Sequence, residues 1–195
     1  MPRVLILGAN GSIAREATRL FLNETDAELT LYLRDPLRLS STDSDRVRVV
    51  RGDVLDAAAL TVAVAGQDVV YANLVGDLER MAESIVKAMS ETGVRRLIFI
   101  SSMGIYDEVS SQHYSSLLDP YRKAAEVIEA SDLDYTILRP AWFTDADEVD
   151  YETTQKGKPF KGGVVSRKSV AALVVKLAMS PELEVRHSLG VSKPE

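Results

Sequence analysis

Near the start of the chain, Val4-Leu5-Ile6-Leu7-Gly8-Ala9-Asn10-Gly11-Ser12-Ile13-Ala14 joins an apolar run to a helix-forming segment through a glycine-containing turn. Four consecutive aliphatic residues suit a strand buried on both faces. Gly8 permits the tight turn, Gly11 lets the backbone approach a ligand with no Cβ in the way, and Ala14 lets the helix lie close on the strand. The turn from Asn10 through Gly11, Ser12 and Ile13 then opens a helix whose free amides face an anion such as a dinucleotide pyrophosphate. The spacing GxxGxxA is looser than GxGxxG, so an ordinary glycine turn is the alternative that the remaining sequence has to decide.

Strand-like and helix-like segments alternate along all 195 residues, the pattern of an α/β chain with a doubly wound, Rossmann-like parallel sheet covered by helices on both faces. Strands are expected near residues 3–7, 28–33, 46–50, 68–72, 95–100, 134–138 and 186–191, and helices near 12–22, 56–65, 78–91, 121–131 and 167–179. Asp119-Pro120 reads as an N-cap with proline in the first turn, Gly93 as a helix stop and Pro181 as a breaker. The stretch from Thr144 to Lys161, acidic and then basic with a glycine, reads as a surface loop or lid. This length fits a single domain with one core.

The chain has no cysteine, which excludes disulfide, thiolate and cysteine–zinc chemistry. Its two histidines, His113 and His187, are far apart, and no metal site is expected. A formal charge of -6 argues against a nucleic-acid surface, and no apolar run approaches a membrane span. Met1-Pro2-Arg3 leads directly into the first strand without a charged and apolar leader, so the expected location is the cytoplasm.

In a doubly wound sheet the ligand lies at the carboxyl ends of the strands, so residues just after each strand carry the candidate chemistry. After the second strand, Arg34 stands where an NAD site usually places a carboxylate on the ribose. Its guanidinium, with Arg38 as a second contact, suits a 2′-phosphate and favours NADP(H), with NAD(H) the alternative cofactor. Both arginines can equally be solvated side chains beside a turn. After the third strand, Gly52-Asp53-Val54 offers a carboxylate to an adenine amino group, or a helix cap. Ala72-Asn73-Leu74-Val75-Gly76 is a small turn open to the cofactor ribose, although the asparagine also suits the turn itself. Ser101 and Ser102 place paired hydroxyls after a buried strand, suited to polarising a substrate carbonyl. Pro140-Ala141-Trp142 supplies a rigid turn and an aromatic wall for a nicotinamide, or a tryptophan packed on the following loop.

Together with Ser101-Ser102-Met103-Gly104-Ile105-Tyr106, Tyr121-Arg122-Lys123-Ala124-Ala125-Glu126 and Asp134-Tyr135-Thr136-Ile137-Leu138-Arg139-Pro140, these blocks resemble the atypical short-chain dehydrogenase/reductase group, which includes NmrA-like proteins and the biliverdin and flavin reductase type. The resemblance covers nearly the whole chain. It implies a Rossmann-like fold binding NAD(P)H, with Gly8, Gly11 and Ile13 at the pyrophosphate, Arg34 at the adenosine phosphate and Asp53 near adenine. It also implies Ser102 as active-site serine and Lys123 on the nicotinamide ribose. Typical members carry a tyrosine four positions before that lysine; here the position is Asp119. Tyr121, two residues from Lys123, should project from another helix face, and Tyr106, His113 and Tyr114 are weak alternatives for a proton donor.

The expected function is therefore an NAD(P)H-dependent oxidoreductase reducing a small planar acceptor such as a flavin or quinone, for which water can supply the proton. The alternative is a non-catalytic redox sensor of the NmrA-like kind, whose protein partner would respond to the nucleotide. Sugar epimerisation is disfavoured, because it calls for the missing tyrosine and a larger substrate-binding portion.

Overall fold

The computed structural model describes residues 1–39, 44–109 and 115–194. Among them, β1 (Arg3–Leu7), β2 (Glu28–Leu33), β3 (Val47–Arg51), β4 (Val69–Ala72), β5 (Arg96–Ile100), β6 (Asp134–Pro140), β8 (Glu152–Gln155) and β10 (His187–Ser192) form one sheet in the order β3-β2-β1-β4-β5-β6-β10-β8. All neighbours run parallel except β8, which is antiparallel to β10. A separate parallel pair joins β7 (Trp142–Thr144) to β9 (Val164–Ser166).

Alternation along β1 sends Val4 and Ile6 to one core and Leu5 and Leu7 to the other. The first core packs under α1 (Ser12–Glu24) and α5 (Arg167–Met179); the second packs under α2 (Ala57–Val64), α3 (Leu78–Thr92) and α4 (Ser115–Glu129). Burial on both faces is what the continuous apolar strands required. In α1 the buried side chains Ile13, Ala14, Ala17, Thr18, Leu20 and Phe21 recur at helical spacing. Ala14 is fully buried, in keeping with close helix–strand packing. Arg46 covers carbonyls at the C-terminal end of α1, donating to Leu22 O in its last turn at 2.6 Å and to Thr25 O at the cap at 2.8 Å. Gly93 closes α3 in the left-handed region, with φ 75°.

Two expectations are corrected. Asp119-Pro120 does not begin a helix: α4 starts at Ser115 and Pro120 lies inside it. Proline removes one backbone hydrogen bond there, but Leu118 and Tyr121 on either side of it pack against the second core. Arg122, two residues past the proline, donates to Ile105 O at 3.1 Å and pairs with Asp107 at 2.8 Å. Tertiary contact thus holds the helix through a residue that would end it in isolation. Residues 144–161 are likewise more than a loop, because β8 within them forms the sheet edge. Its sequence, Glu-Thr-Thr-Gln, shows no apolar periodicity, and the strand exists through its backbone pairing with β10.

Candidate functional site

Strand order reverses between β1 and β4, the neighbours at the centre of the sheet, and there the carboxyl ends of the strands open onto a cavity of about 610 Å³. Its floor is the turn after β1. Gly8 has φ +76°, and a Cβ on it would stand 2.1 Å from Asn73 O; one on Gly11 would stand 2.0 Å from Asn73 Nδ2. The turn after β4 therefore seats directly on the glycine turn, and only glycine leaves room for both. Gly11 N donates to Gly8 O at 3.0 Å, which leads the chain into α1 at Ser12.

Asn10, Ser12, Ile13, Leu74 and Val75 line this end of the cavity together with Gly8, Gly11 and Asn73. Arg34, Arg38, Asp53 and Val54 line the end beside β2 and β3. Arg34 and Arg38 are exposed and have no carboxylate partner among the described residues, while the neighbouring Asp35 is occupied in accepting from Leu37 N at 3.2 Å. Two unneutralised guanidiniums on one rim suit a phosphate monoester. Asp53 Oδ1 closes a turn by accepting from Leu55 N at 2.9 Å, whereas the cap of α2 is Asp56. Tyr32 Oη donates to Asp53 O at 2.9 Å; burial, with Asp56 and Asp53 adding to it, pushes the phenol pKa up and keeps the proton on this donor.

At the β5 end, Ser101 lines the cavity, 5 % exposed, and its Oγ has no hydrogen-bond partner. Ser102 does not line it; its hydroxyl donates to Met103 O at 3.2 Å. Of the two serines, it is thus the first that lines the cavity. Lys123 also lies outside the lining, paired with Glu79 of α3 at 3.2 Å, and Asp119 pairs with Arg122 at 3.3 Å. Tyr121, set aside on helix-face grounds, is the residue of this block that lines the cavity. Pro140 and Ala141 are buried in main-chain pairing, with Pro140 O accepting from Met103 N and Ala141 N donating to Val191 O. Ala72 is buried beneath the site at the end of β4. Trp142 is 59 % exposed and does not line the cavity; the aromatic wall is Phe143. Neighbouring residues of a strand face opposite ways, so a one-residue choice in β7 exchanges the two rings.

Tyr106 is committed elsewhere, with its Oη donating to Glu129 at 2.7 Å, and burial pushes its pKa up. His187 pairs with Glu184, away from the cavity, and His113 and Tyr114 lie outside the described residues. A larger depression of about 810 Å³ runs along α1 and shares Ser12 with the cavity, but its charged walls are largely self-paired: Arg19 with Glu16, Arg167 with Asp145, and Lys168 with Asp147.

The residues fit a dinucleotide on two counts. The rim carries guanidiniums with no carboxylate partner among the described residues, and Ser101 Oγ and Asn10 Oδ1 are buried polar atoms without hydrogen-bond partners there. This fold and cavity define a Rossmann-like dinucleotide-binding protein. The chain belongs to the NAD(P)H-binding family, whose model matches residues 8–181. It is 44 % identical to a Rossmann-fold NAD(P)-binding family protein from Shigella flexneri, with TM-score 0.89 over 100 % of this chain and 94 % of the other. It is 33 % identical to a wide-type short-chain dehydrogenase/reductase from Veillonella parvula, solved in complex with NADP, with TM-score 0.90 over 99 % and 95 % of the two chains. A Bacillus subtilis protein described as an uncharacterized sugar epimerase is 25 % identical over 89 % of this chain and 86 % of its own length. The family is thus one of NAD(P)H-dependent oxidoreductases. Among the described residues no helix is long and apolar enough to cross a membrane.

Proposed function

We propose that the chain is an NADPH-dependent reductase of a small planar acceptor, such as a flavin, a quinone or a related conjugated carbonyl, working in the cytoplasm without nucleic acid. The observation that carries this reading is Ser101 at the carboxyl end of β5, which lines the cavity and whose hydroxyl is buried without a hydrogen-bond partner among the described residues. A desolvated hydroxyl with no internal partner is costly unless a ligand satisfies it. Arg34 and Arg38 supply the preference for a 2′-phosphate, since no described carboxylate neutralises them. The amides at Ser12 and Ile13 meet the pyrophosphate, and the open Asp53 carboxylate oxygen accepts from the adenine amino group. When bound, the reduced nicotinamide supplies a hydride. Ser101 Oγ donates a hydrogen bond to the acceptor oxygen that gains charge, while Phe143 and Tyr121 wall that end against water.

Epimerisation, which the name of the Bacillus relative suggests, would draw on a tyrosine–lysine pair, and here Lys123 is held by Glu79 outside the cavity. The same absence favours a second reading, in which the chain is a non-catalytic sensor whose protein partner responds to bound NADPH or NADP.

The test is a titration of the purified chain with NADPH and NADH, followed by flavin and quinone acceptors and a nucleotide sugar. We expect tighter NADPH binding and acceptor-dependent loss of nicotinamide absorbance, abolished in Gly11→Asp and reduced about tenfold to a thousandfold in Ser101→Ala. Binding without turnover of any acceptor would shift the assignment to the sensor. Absence of binding would remove both readings.

A further inference from the structure

A phosphorylated dinucleotide carries negative charge at two places, the pyrophosphate and the adenosine 2′ position. The cations lining the cavity, Arg34 and Arg38, both stand at the adenosine end. At the pyrophosphate end the lining offers turn amides and the N-terminus of α1, equivalent to about half an elementary charge. One cation reaches this end from outside the lining. Arg167, the first residue of α5, donates from Nε to Ser12 Oγ at 3.1 Å. Its Nη1 pairs with Asp145 at 2.6 Å, its Nη2 has no hydrogen-bond partner among the described residues, and its guanidinium lies 5.2 Å from the centre of the Phe143 ring. Ser12 and Phe143 both line the cavity, so this side chain touches two of its walls.

We propose that Arg167 is the cation for the cofactor pyrophosphate and, through its stacking on Phe143, the residue that positions the aromatic wall. The inference rests on the dinucleotide reading of the cavity. Asp145 is 90 % exposed, so water screens its hold on the guanidinium. A phosphate oxygen at the start of α1, desolvated by the turn, is the stronger partner for Nη2. The contact spans 155 residues of sequence, from the last helix to the first, so binding at the glycine turn is tied to the position of β7.

Calorimetric titration of the full chain separates the two anionic ends with two fragments. ADP-ribose has the pyrophosphate and no 2′-phosphate, and 2′-AMP has the reverse. Arg167→Ala and Arg167→Gln are each expected to weaken ADP-ribose by about tenfold to a hundredfold and to leave 2′-AMP unchanged. Arg167→Lys should recover part of the loss, because an ammonium keeps the charge and not the fork. Thermal melts verify that each variant is folded, and the glutamine variant, closest in shape, serves if the alanine variant is not. Unchanged ADP-ribose affinity, or equal loss for both fragments, overturns the assignment. A wild-type chain that binds neither ADP-ribose nor NADPH removes the dinucleotide reading itself.

Discussion

Two charged residues that the sequence leaves inconspicuous hold the loop carrying Ser101. Arg139 is 1 % and Glu108 7 % exposed, and they pair side chain to side chain inside the protein. Arg139 also donates to Ser188 Oγ at 3.1 Å and lies 5.1 Å from the Tyr106 ring centre, while Glu108 Oε2 accepts from Tyr106 N at 2.8 Å. Burial works to raise the Glu108 pKa, but backbone hydrogen bonds and the Arg139 charge outweigh it and hold the carboxyl below its ordinary value of 4.5. A carboxyl depressed in the folded state stabilises the fold above its unfolded pKa, and that contribution is lost as pH falls through the folded value. Glu108→Gln strands a buried guanidinium and is expected to cost about 3–5 kcal/mol near neutrality. Urea unfolding across pH should show the gap to wild type narrowing on acidification below 4.5. Nothing in the sequence announces this pair, because its members are 31 positions apart and charged residues usually face solvent.

At the level of elements, the regular strands and helices were legible because each carries its own period and stop signals. Where a local signal and a tertiary contact disagreed, the contact prevailed. Pro120 is the clearest instance, a helix breaker by propensity that sits inside α4. An interior proline costs about 3 kcal/mol relative to alanine in a helix, against roughly 0.4–1 kcal/mol that proline returns by restricting the unfolded chain. Pro120→Ala should therefore stabilise the protein by about 1–3 kcal/mol, measured as a higher denaturant midpoint with an unchanged slope. A lower midpoint would mean that the proline ring itself packs usefully in the helix. The same competition explains the site residues that moved. Tyr121 and Lys123, two residues apart on α4, point from different faces whatever the helix start, and it is the Tyr121 face that lines the cavity; Phe143 follows Pro140-Ala141-Trp142, a stretch that reads locally as a turn.

For the whole molecule, a ligand that binds only the folded chain raises stability by about 2.7 kcal/mol at a hundred times its dissociation constant. For a chain of this size NADPH at that excess should raise the melting temperature by about 5–10 °C. NADH at the same concentration should raise it less if Arg34 and Arg38 read a 2′-phosphate, and equal shifts would remove that preference. The sequence by itself determined the alternating strands and helices, the glycine turn after β1 and the residues after β2 and β3 that line the cavity, since these depend on residues adjacent in the chain or on periods of two and 3.6. Only the tertiary structure decided that Ser101 and Phe143 rather than Ser102 and Trp142 line the cavity, and that Arg167 reaches Ser12. Those choices turn on a one-residue phase of a strand or helix, or on contacts such as Arg167 with Ser12, whose partners share no local signal and meet only when the first and last helices pack on the same face of the sheet.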